Sequence, residues 1–222
     1  MKIVIISDTH NYHKHLGELP EADMIIHCGD MTGMGHEHEI RNFMKWFSKL
    51  DQYSHRICCA GNHDWLFQKN NLLARELVPD NVIYLEDEEI IIEGIKFYGS
   101  PVQLPFNNWA FNKPEYKLIP HWQAIPDDTD VLITHSPPRT VFDWSIYDNI
   151  HTGSPSLYYE IINRIKPLVS AFGHIHSGHG VKVIENTTFI NASNLNEEYV
   201  CEYDPIIIEI VNNTVIYPNT LI

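Results

Sequence analysis

Five short apolar runs in this chain each stop at a polar cluster, and that pattern constrains the fold more than any other feature. Lys2-Ile-Val-Ile-Ile6 stops at Ser7-Asp8-Thr9-His10, and Met24-Ile-Ile-His27 stops at Gly29-Asp30. His55-Arg-Ile-Cys-Cys59 runs into Gly61-Asn62-His63-Asp64, and Val131-Leu-Ile-Thr134 into His135-Ser136-Pro137-Pro138. Leu168-Val-Ser-Ala-Phe172 gives way to Gly173-His174-Ile175-His176. Short continuous apolar runs of this kind suit strands covered on both faces. Ile40, Phe43, Met44, Phe47 and Leu50 recur at helical spacing, as do Leu157, Tyr158, Ile161, Ile162 and Ile165, so each set makes one apolar stripe. Trp65 to Leu77 is a further, weaker helical segment.

Hairpins are expected at Ile90–Tyr98 about Glu93-Gly94, at Val181–Ile190 near Glu185-Asn186, and at Ile206–Tyr217 about Asn212-Asn213. The stretch 100–130, with several prolines and aromatics, reads as a long ordered loop with some helix. The element order predicts an α/β fold: a four-layer αββα sandwich of two mixed β-sheets flanked by helices, in a single domain over 1–222.

In open α/β sheets ligands sit beyond the carboxyl ends of the strands, which is where all the polar clusters fall. The converging set is Asp8, His10, Asp30, Asn62, His63, His135, His174 and His176. One such residue after a strand is ordinarily a turn former. A group of them at one rim is different, because burying them unpaired would cost several kcal/mol, about 2–7 per polar group. A bound cation removes that penalty. Oxygen and imidazole donors without thiolate suit Mn, Fe, Zn, Co or Ni, and so many imidazoles argue against a pure Mg or Ca cage.

Seven ligands are too many for one four-coordinate ion and suit two divalent metal ions, with Asp30 the natural bridge. Manganese is the leading expectation. Two such ions roughly 3.5–4 Å apart clamp the attacking and leaving oxygens of an in-line displacement and lower the pKa of bound water. With Asp8, Asp30 and a bridging hydroxide, the site would keep a net positive charge that attracts a phosphate.

Composition narrows the partners. The 222 residues carry 15 Lys+Arg against 29 Asp+Glu, a formal charge of −14. A long nucleic acid binds largely through Lys/Arg neutralisation of phosphates, so no long nucleic acid is expected as a partner, and the balance is compatible with a small phosphorylated ligand or a divalent cation. No apolar run approaches the roughly 20 residues of a membrane span. No signal-peptide pattern follows Met1. Cys28, Cys58, Cys59 and Cys201 form no C-x-x-C pair, which points to a reducing, cytoplasmic setting. Oligomeric state stays open.

Asp8-Thr-His10, Gly29-Asp30, Gly61-Asn-His-Asp64, His135 and Gly173-His-Ile-His176 resemble, in order, the five blocks of the calcineurin-like metallophosphoesterases. Phe106-Asn-Asn-Trp-Ala-Phe-Asn112, Thr134-His-Ser-Pro-Pro138 and Ile190-Asn-Ala-Ser193 are similar to a narrower branch, the metallophosphoesterase-domain proteins known from fetal and adult brain. The resemblance implies that Asp8, His10 and His176 hold the first metal, that Asp30 bridges, and that Asn62, His135 and His174 complete the second. It also implies that His63 faces the phosphate and assists the leaving oxygen, with Asp64 orienting that imidazole. Some relatives replace the first histidine of the last block, whereas His174 is kept here. Ser136 stands where glycine is common, and some branch members carry Glu at the position of Asp64.

Weaker expectations surround the centre. Arg139, one of few nearby cations, is a candidate phosphate or base contact. Trp109 or Trp144 is a candidate platform for a nucleobase, and Phe106 and Phe111 are expected to pack the loop onto the sheet. His13 and His15 are expected as solvated loop residues, His36 and His38 as surface residues. His179 could touch the ligand's outer edge, and Cys28 is expected as a buried thiol.

The function expected is a dinuclear phosphodiesterase for small phosphodiesters, with cyclic nucleotides suggested by the branch resemblance. The alternatives are a phosphomonoesterase using the same metals and a non-catalytic nucleotide- or metal-binding module.

Overall fold

Strand β1 (Lys2–Ile6) shows why the chain forms layers. Successive side chains on a strand point to opposite faces: Ile3 and Ile5 enter one apolar cluster, and Val4 and Ile6 enter another. A strand buried on both sides needs cover on both sides. The computed structural model describes residues 1–217. After β1 come β2 (Met24–His27), α1 (Glu37–Phe47), β3 (His55–Cys58), α2 (Trp65–Lys69), α3 (Asn71–Glu76) and β4 (Ile83–Tyr84). Next are β5 (Glu88–Ile92), β6 (Ile95–Ser100), α4 (Glu115–Gln123), β7 (Val131–Thr134) and a two-stranded flap of β8 (Trp144–Ser145) and β9 (Ile150–His151). Helix α5 (Pro155–Glu160) continues as a π-helical turn over Ile161–Ile165. The chain ends with β10 (Val169–Phe172), β11 (Gly180–Ile184), β12 (Thr187–Asn191), β13 (Ile206–Val211) and β14 (Thr214–Ile216).

The strands form two six-stranded mixed sheets, ordered β14-β13-β1-β2-β3-β4 and β11-β12-β10-β7-β6-β5. Between them lies a core that includes Ile3, Ile5, Ile26, Ile57, Phe97, Ile133 and Ile190. Phe43, Met44 and Phe47 of α1 cover the outer face of the first sheet, and Leu118, Trp122, Leu157 and Ile161 cover that of the second. The four-layer αββα architecture is therefore present.

The central strands β1, β2 and β3 run parallel, as do β6, β7 and β10. Their carboxyl ends meet at one rim, where a bridge between Ser7 and Ser193 ties the sheets together. All three expected hairpins form.

One helix expectation is corrected. The 65–77 segment is not continuous, because Asn70 leaves the helical region (φ −148, ψ 75) and its side chain caps α3 at Leu73 N. Asn and Asp favour such caps because the side-chain oxygen competes with the helical backbone. Among the described residues, no helix is long and apolar enough to cross a membrane.

Candidate metal centre

The turns after β1, β2, β3, β7 and β10 each carry polar side chains into the rim. Asp8, His10, Asp30 and His174 adopt left-handed backbone, with φ of 53, 38, 55 and 68. Hydrogen bonds from Asp8 N to Gly29 O (3.0 Å), His10 N to Asp30 O (3.0 Å) and Gly173 N to His135 O (2.9 Å) bind the turns to one another. The approach is close enough to require glycine. A Cβ on Gly173 would lie 2.0 Å from Asp8 Oδ2, and one on Gly61 would lie 2.3 Å from Asp30 Oδ1.

The side chains fall into three overlapping groups, two of which include Asp30. Asp8, His10 and His176 form one, Asp30, His135 and His174 another, and His10, Asp30 and His63 a third between them. His176 Nε2 lies 3.6 Å from Asp8 Oδ1, and His10 Nε2 lies 3.7 Å from Asp30 Oδ2. His135 Nε2 lies 3.4 Å from Asp30 Oδ2 and 2.9 Å from Asn62 Oδ1. The structure thus gathers all seven sequence-derived ligand candidates.

The other ring nitrogens show what these groups await. His10 Nδ1 pairs with Thr32 O (3.2 Å), His135 Nδ1 with Cys28 O (3.1 Å) and His176 Nδ1 with Asn196 O (2.9 Å). A carbonyl can only accept, so each Nδ1 carries the proton, and in the neutral ring Nε2 is left as a lone pair. The His10 and His176 Nε2 atoms face each other at 3.2 Å. Lone pairs aimed at lone pairs and carboxylates require a positive charge between them, and this donor set fits two divalent ions. Carbonyl partners behind the imidazoles are also how metal sites fix ring orientation.

Electrostatics tells the same story. Burial works against ionising Asp8 and Asp30, but the bond to His176 on one and the charge of His135 on the other hold both below the usual carboxylate range. Burial likewise disfavours charge on His135 and His176, yet Asp30 and Asp8 push them up to about 9. Burial brings His10 down to about 4 and His174 down to about 3. Without metal, two protons therefore stand in for cations beside the two carboxylates.

His63 follows Asn62, and its backbone N donates to Asp30 Oδ1 at 2.7 Å. Its Nδ1 donates to Gly33 O at 2.6 Å, which turns Nε2 towards the centre, 3.9 Å from Asp30 Oδ2. Asp64 does not orient this ring, contrary to the sequence expectation. Its carboxylate is engaged by Met31 N (3.3 Å), Thr32 N (3.0 Å), Thr32 Oγ1 (2.7 Å) and Gly61 N (2.8 Å). The side chain points back under the turn and pins the Asp30 and Asn62 loops together. Burial and the charge of Asp30 push its carboxyl up to about 7, against these donors.

A cavity of about 300 Å³ opens over the centre, lined by His10, Asp30, Asn62, His63, His174 and His176 on its inner side. Phe106, Tyr147, Asp148, Glu197 and Tyr199 are among its outer lining. Arg139 is exposed and does not line it. Trp109 stacks on the His63 ring (centroids 4.0 Å, 22°), so that face meets the imidazole and not a base. Trp144 is 43% exposed on the flap, and Phe111 packs into the core beside the first sheet.

His13 is not solvated, because it is buried against Phe43 and Trp46 with neither ring nitrogen bonded. His15, His36 and His38 are exposed, with His36 capping α1 and His38 inside it. His179 stacks on Tyr203 beside a different cavity, and Cys28 is a buried thiol.

Sequence reasoning missed Thr32 and Gly33, whose carbonyls aim His10 and His63, and Tyr199, whose ring meets His10 at 4.9 Å and His176 at 5.3 Å. Backbone carbonyls leave no residue-type signal. Ser193, which donates to Asp8 Oδ2 at 2.8 Å, lies in the Asn-Ala-Ser segment already noted.

Comparison with known proteins agrees with this geometry. Residues 1–178 match the family of calcineurin-like phosphoesterases. The chain is 34% identical to human metallophosphoesterase domain-containing protein 1 over 232 residues, covering 94% of this chain and 71% of that protein. A putative 5'-nucleotidase from Staphylococcus aureus aligns with a TM-score of 0.56 at 10% identity, over 97% of this chain and 52% of that one, so this chain spans about half its length. A Thermus thermophilus protein described as hypothetical aligns with a TM-score of 0.53 at 10% identity, over 97% of this chain and 96% of that one. These two share the fold. The chain belongs to the calcineurin-like phosphoesterase family, and its centre is that of a metal-dependent phosphoester hydrolase.

Proposed function

We propose that the protein is a phosphodiesterase acting on small phosphodiesters, with manganese the first metal to test and cyclic nucleotides the first substrates. The observation that carries the diester reading is the charge of the cavity. Among the described residues that line it there is no Lys or Arg, whereas Asp148 and Glu197 both do. A phosphomonoester brings a second negative charge that this wall would repel, and a diester brings only one. Tyr199 and Phe106 offer ring faces of the kind that stack on bases, worth about 1–3 kcal/mol each.

Asp8, His10 and His176 would hold one ion, Asn62, His135 and His174 the other, and Asp30 would lie between them. Two divalent ions there would supply Lewis-acid charge to the phosphoryl oxygens and an activated water. The carbonyls of Thr32, Cys28 and Asn196 keep three of the imidazoles aimed inwards. With Nδ1–H held by Gly33 O, a doubly protonated His63 carries its second proton at Nε2, within the cavity, where it can pass to the leaving oxygen. The Trp109 face and the Gly33 carbonyl limit rotation of that ring.

The test is elemental analysis of purified protein, followed by bis(p-nitrophenyl) phosphate, p-nitrophenyl phosphate, and 2′,3′- and 3′,5′-cyclic nucleotides with manganese added. Faster turnover of the bis ester than of the monoester is expected. The reverse order would make the protein a phosphomonoesterase. Tight nucleotide retention without turnover of any ester would make it a binding module.

A further inference from the structure

Besides the 104–106 stretch, the outer wall of the cavity includes two segments that nothing in the metal centre requires. One is the flap, which brings Tyr147 and Asp148; the other is the turn after β12, which brings Glu197 and Tyr199. Tyr147 Oη donates to Glu197 O at 3.3 Å, joining them into one surface. Tyr199 sits in left-handed backbone, φ 61, inside a turn organised by Asn196. Asn196 Oδ1 accepts from Glu198 N (2.9 Å) and Val200 N (3.0 Å), and Asn196 O accepts from both Tyr199 N (2.9 Å) and His176 Nδ1 (2.9 Å). The same turn that aims a metal-site imidazole therefore also places the tyrosine ring against His10 and His176, inclined at 67° and 71° to their rings. Glu197 Oε1 accepts from Ser177 N at 3.0 Å, which fixes this carboxylate one residue beyond His176.

Aromatic rings flanked by carboxylates, beside a centre that takes the phosphate, have a specific complement. Ring faces attract cations through their quadrupole, and quaternary ammonium groups are the usual ligands of such walls. Two carboxylates without a neighbouring Lys or Arg in the lining reinforce the same preference. The geometry points to a subsite formed by Tyr147, Asp148, Glu197 and Tyr199 that receives a cationic organic group, so that the preferred substrates are zwitterionic phosphodiesters with an ammonium group a few bonds from the phosphate. This inference rests on the phosphodiesterase reading and narrows it: cationic groups are favoured over neutral ones, such as the base of a cyclic nucleotide, and anionic groups are disfavoured. The hydrolysis is unchanged. A P–O bond to water's oxygen forms, the ester P–O bond breaks, and the leaving oxygen takes up a proton.

The experiment compares p-nitrophenyl phosphocholine with the p-nitrophenyl diester of 3,3-dimethylbutyl phosphate, in which carbon replaces the charged nitrogen. Both release p-nitrophenol, so the ratio of kcat/KM reads the charge alone. With manganese-loaded full-length protein the choline ester should be favoured roughly tenfold. The ratio should fall towards one in E197Q, which keeps an acceptor for Ser177 N, and in D148N, which alters only the flap. Calorimetric binding of phosphocholine against 3,3-dimethylbutyl phosphate gives a second readout that needs no turnover. If the protein cleaves neither these esters nor bis(p-nitrophenyl) phosphate yet binds phosphocholine more tightly, with E197Q removing the difference, the phosphodiesterase reading fails and the subsite stands. A wild-type ratio of one or less in both turnover and binding, or a preference that survives in both variants, overturns the subsite while leaving bis(p-nitrophenyl) phosphate hydrolysis to judge the broader reading.

Discussion

Replacing Asp64 by Asn tests the account of the turn beneath the metal centre. Oδ1 of Asp64 accepts from Thr32 N and Thr32 Oγ1, and Oδ2 accepts from Met31 N and Gly61 N. An asparagine has one acceptor oxygen and one NH2 group, so one pair of donors must face another donor. The less damaging orientation leaves the oxygen on Gly61 N and Met31 N. Thr32 Oγ1 can then accept from the new NH2 and donate to His63 O, which lies 3.3 Å away. Thr32 N is left with no partner in a fully buried position.

One orphaned amide costs about 1–3 kcal/mol, and the loss of charge assistance adds to it. Removing a buried charge recovers part of its desolvation penalty, so the net loss should be about 2 kcal/mol. Asp64→Ala strands three amides at once, Met31 N, Thr32 N and Gly61 N, and should lose about 4–6 kcal/mol. That approaches the whole stability of many domains, about 5–15 kcal/mol. Urea denaturation of the metal-loaded protein measures both, and the expected order is Ala well below Asn below wild type. An Asn variant with an unchanged urea midpoint and a pH–rate profile altered like that of a His63 variant would refute the reasoning, because Asp64 would then act through the imidazole.

His63→Ala should keep the full metal content by elemental analysis, since the seven-ligand set is intact, while kcat on bis(p-nitrophenyl) phosphate falls by about 10²–10⁴. Gly173→Ala places a Cβ 2.0 Å from Asp8 Oδ2 and 2.2 Å from Ser7 Oγ; the variant should purify with less than one equivalent of the metal that Asp8 serves, and a full complement would contradict the close approach. Metal binding should release protons. His135 and His176, held up at about 9, are charged at pH 7.5 in the metal-free chain, whereas His10 and His174, at about 4 and 3, are already neutral. Loading should therefore expel about two protons, read from titration calorimetry in buffers of different ionisation enthalpy. Affinity rises with pH up to about 9 and levels off above it, and a pH-independent affinity would contradict the assignment.

The centre is legible in the sequence because strand ends are local features. Each apolar run and the cluster after it lie within a dozen residues, and parallel pairing brings such ends together whatever the loops do. The missed features are ones that no local pattern encodes. The break at Asn70 depends on a side chain capping the next helix, in a stretch whose spacing reads as one helix. The partners of Asp64 depend on which way one carboxylate turns under a loop that begins 33 residues earlier. His13 follows a polar cluster like a solvated loop residue, yet Trp46 of α1 closes over it. Strands β8 and β9 are two residues each, too short to show a period, so the flap and its contribution to the cavity could not be read in advance. Arg139 lies close in sequence to His135, but the turn after β7 carries it out to solvent.

The backbone at the centre explains how so many polar groups stay in register. Left-handed conformation costs an L-residue about 1–2 kcal/mol, less for Asp than for most. Asp8, His10, Asp30 and His174 all adopt it, which concentrates strain in the turns that carry the ligands. Such conformations persist only where the surroundings over-determine them, and here the surroundings do. Asp8 is held by Ser193 Oγ and His174 N, and Asp30 by His63 N, while the turns bond to one another through Asp8 N and His10 N. None of these bonds needs a metal ion, so the cage is shaped by the two sheets before any cation arrives. A preorganised cage has little ordering entropy left to lose on binding, unlike small domains whose metal sites form only as they fold. The conserved free energy is available for chemistry instead: carboxylates, imidazoles and the His63 ring are already placed where charge develops, and reorganisation at the moment of reaction is small.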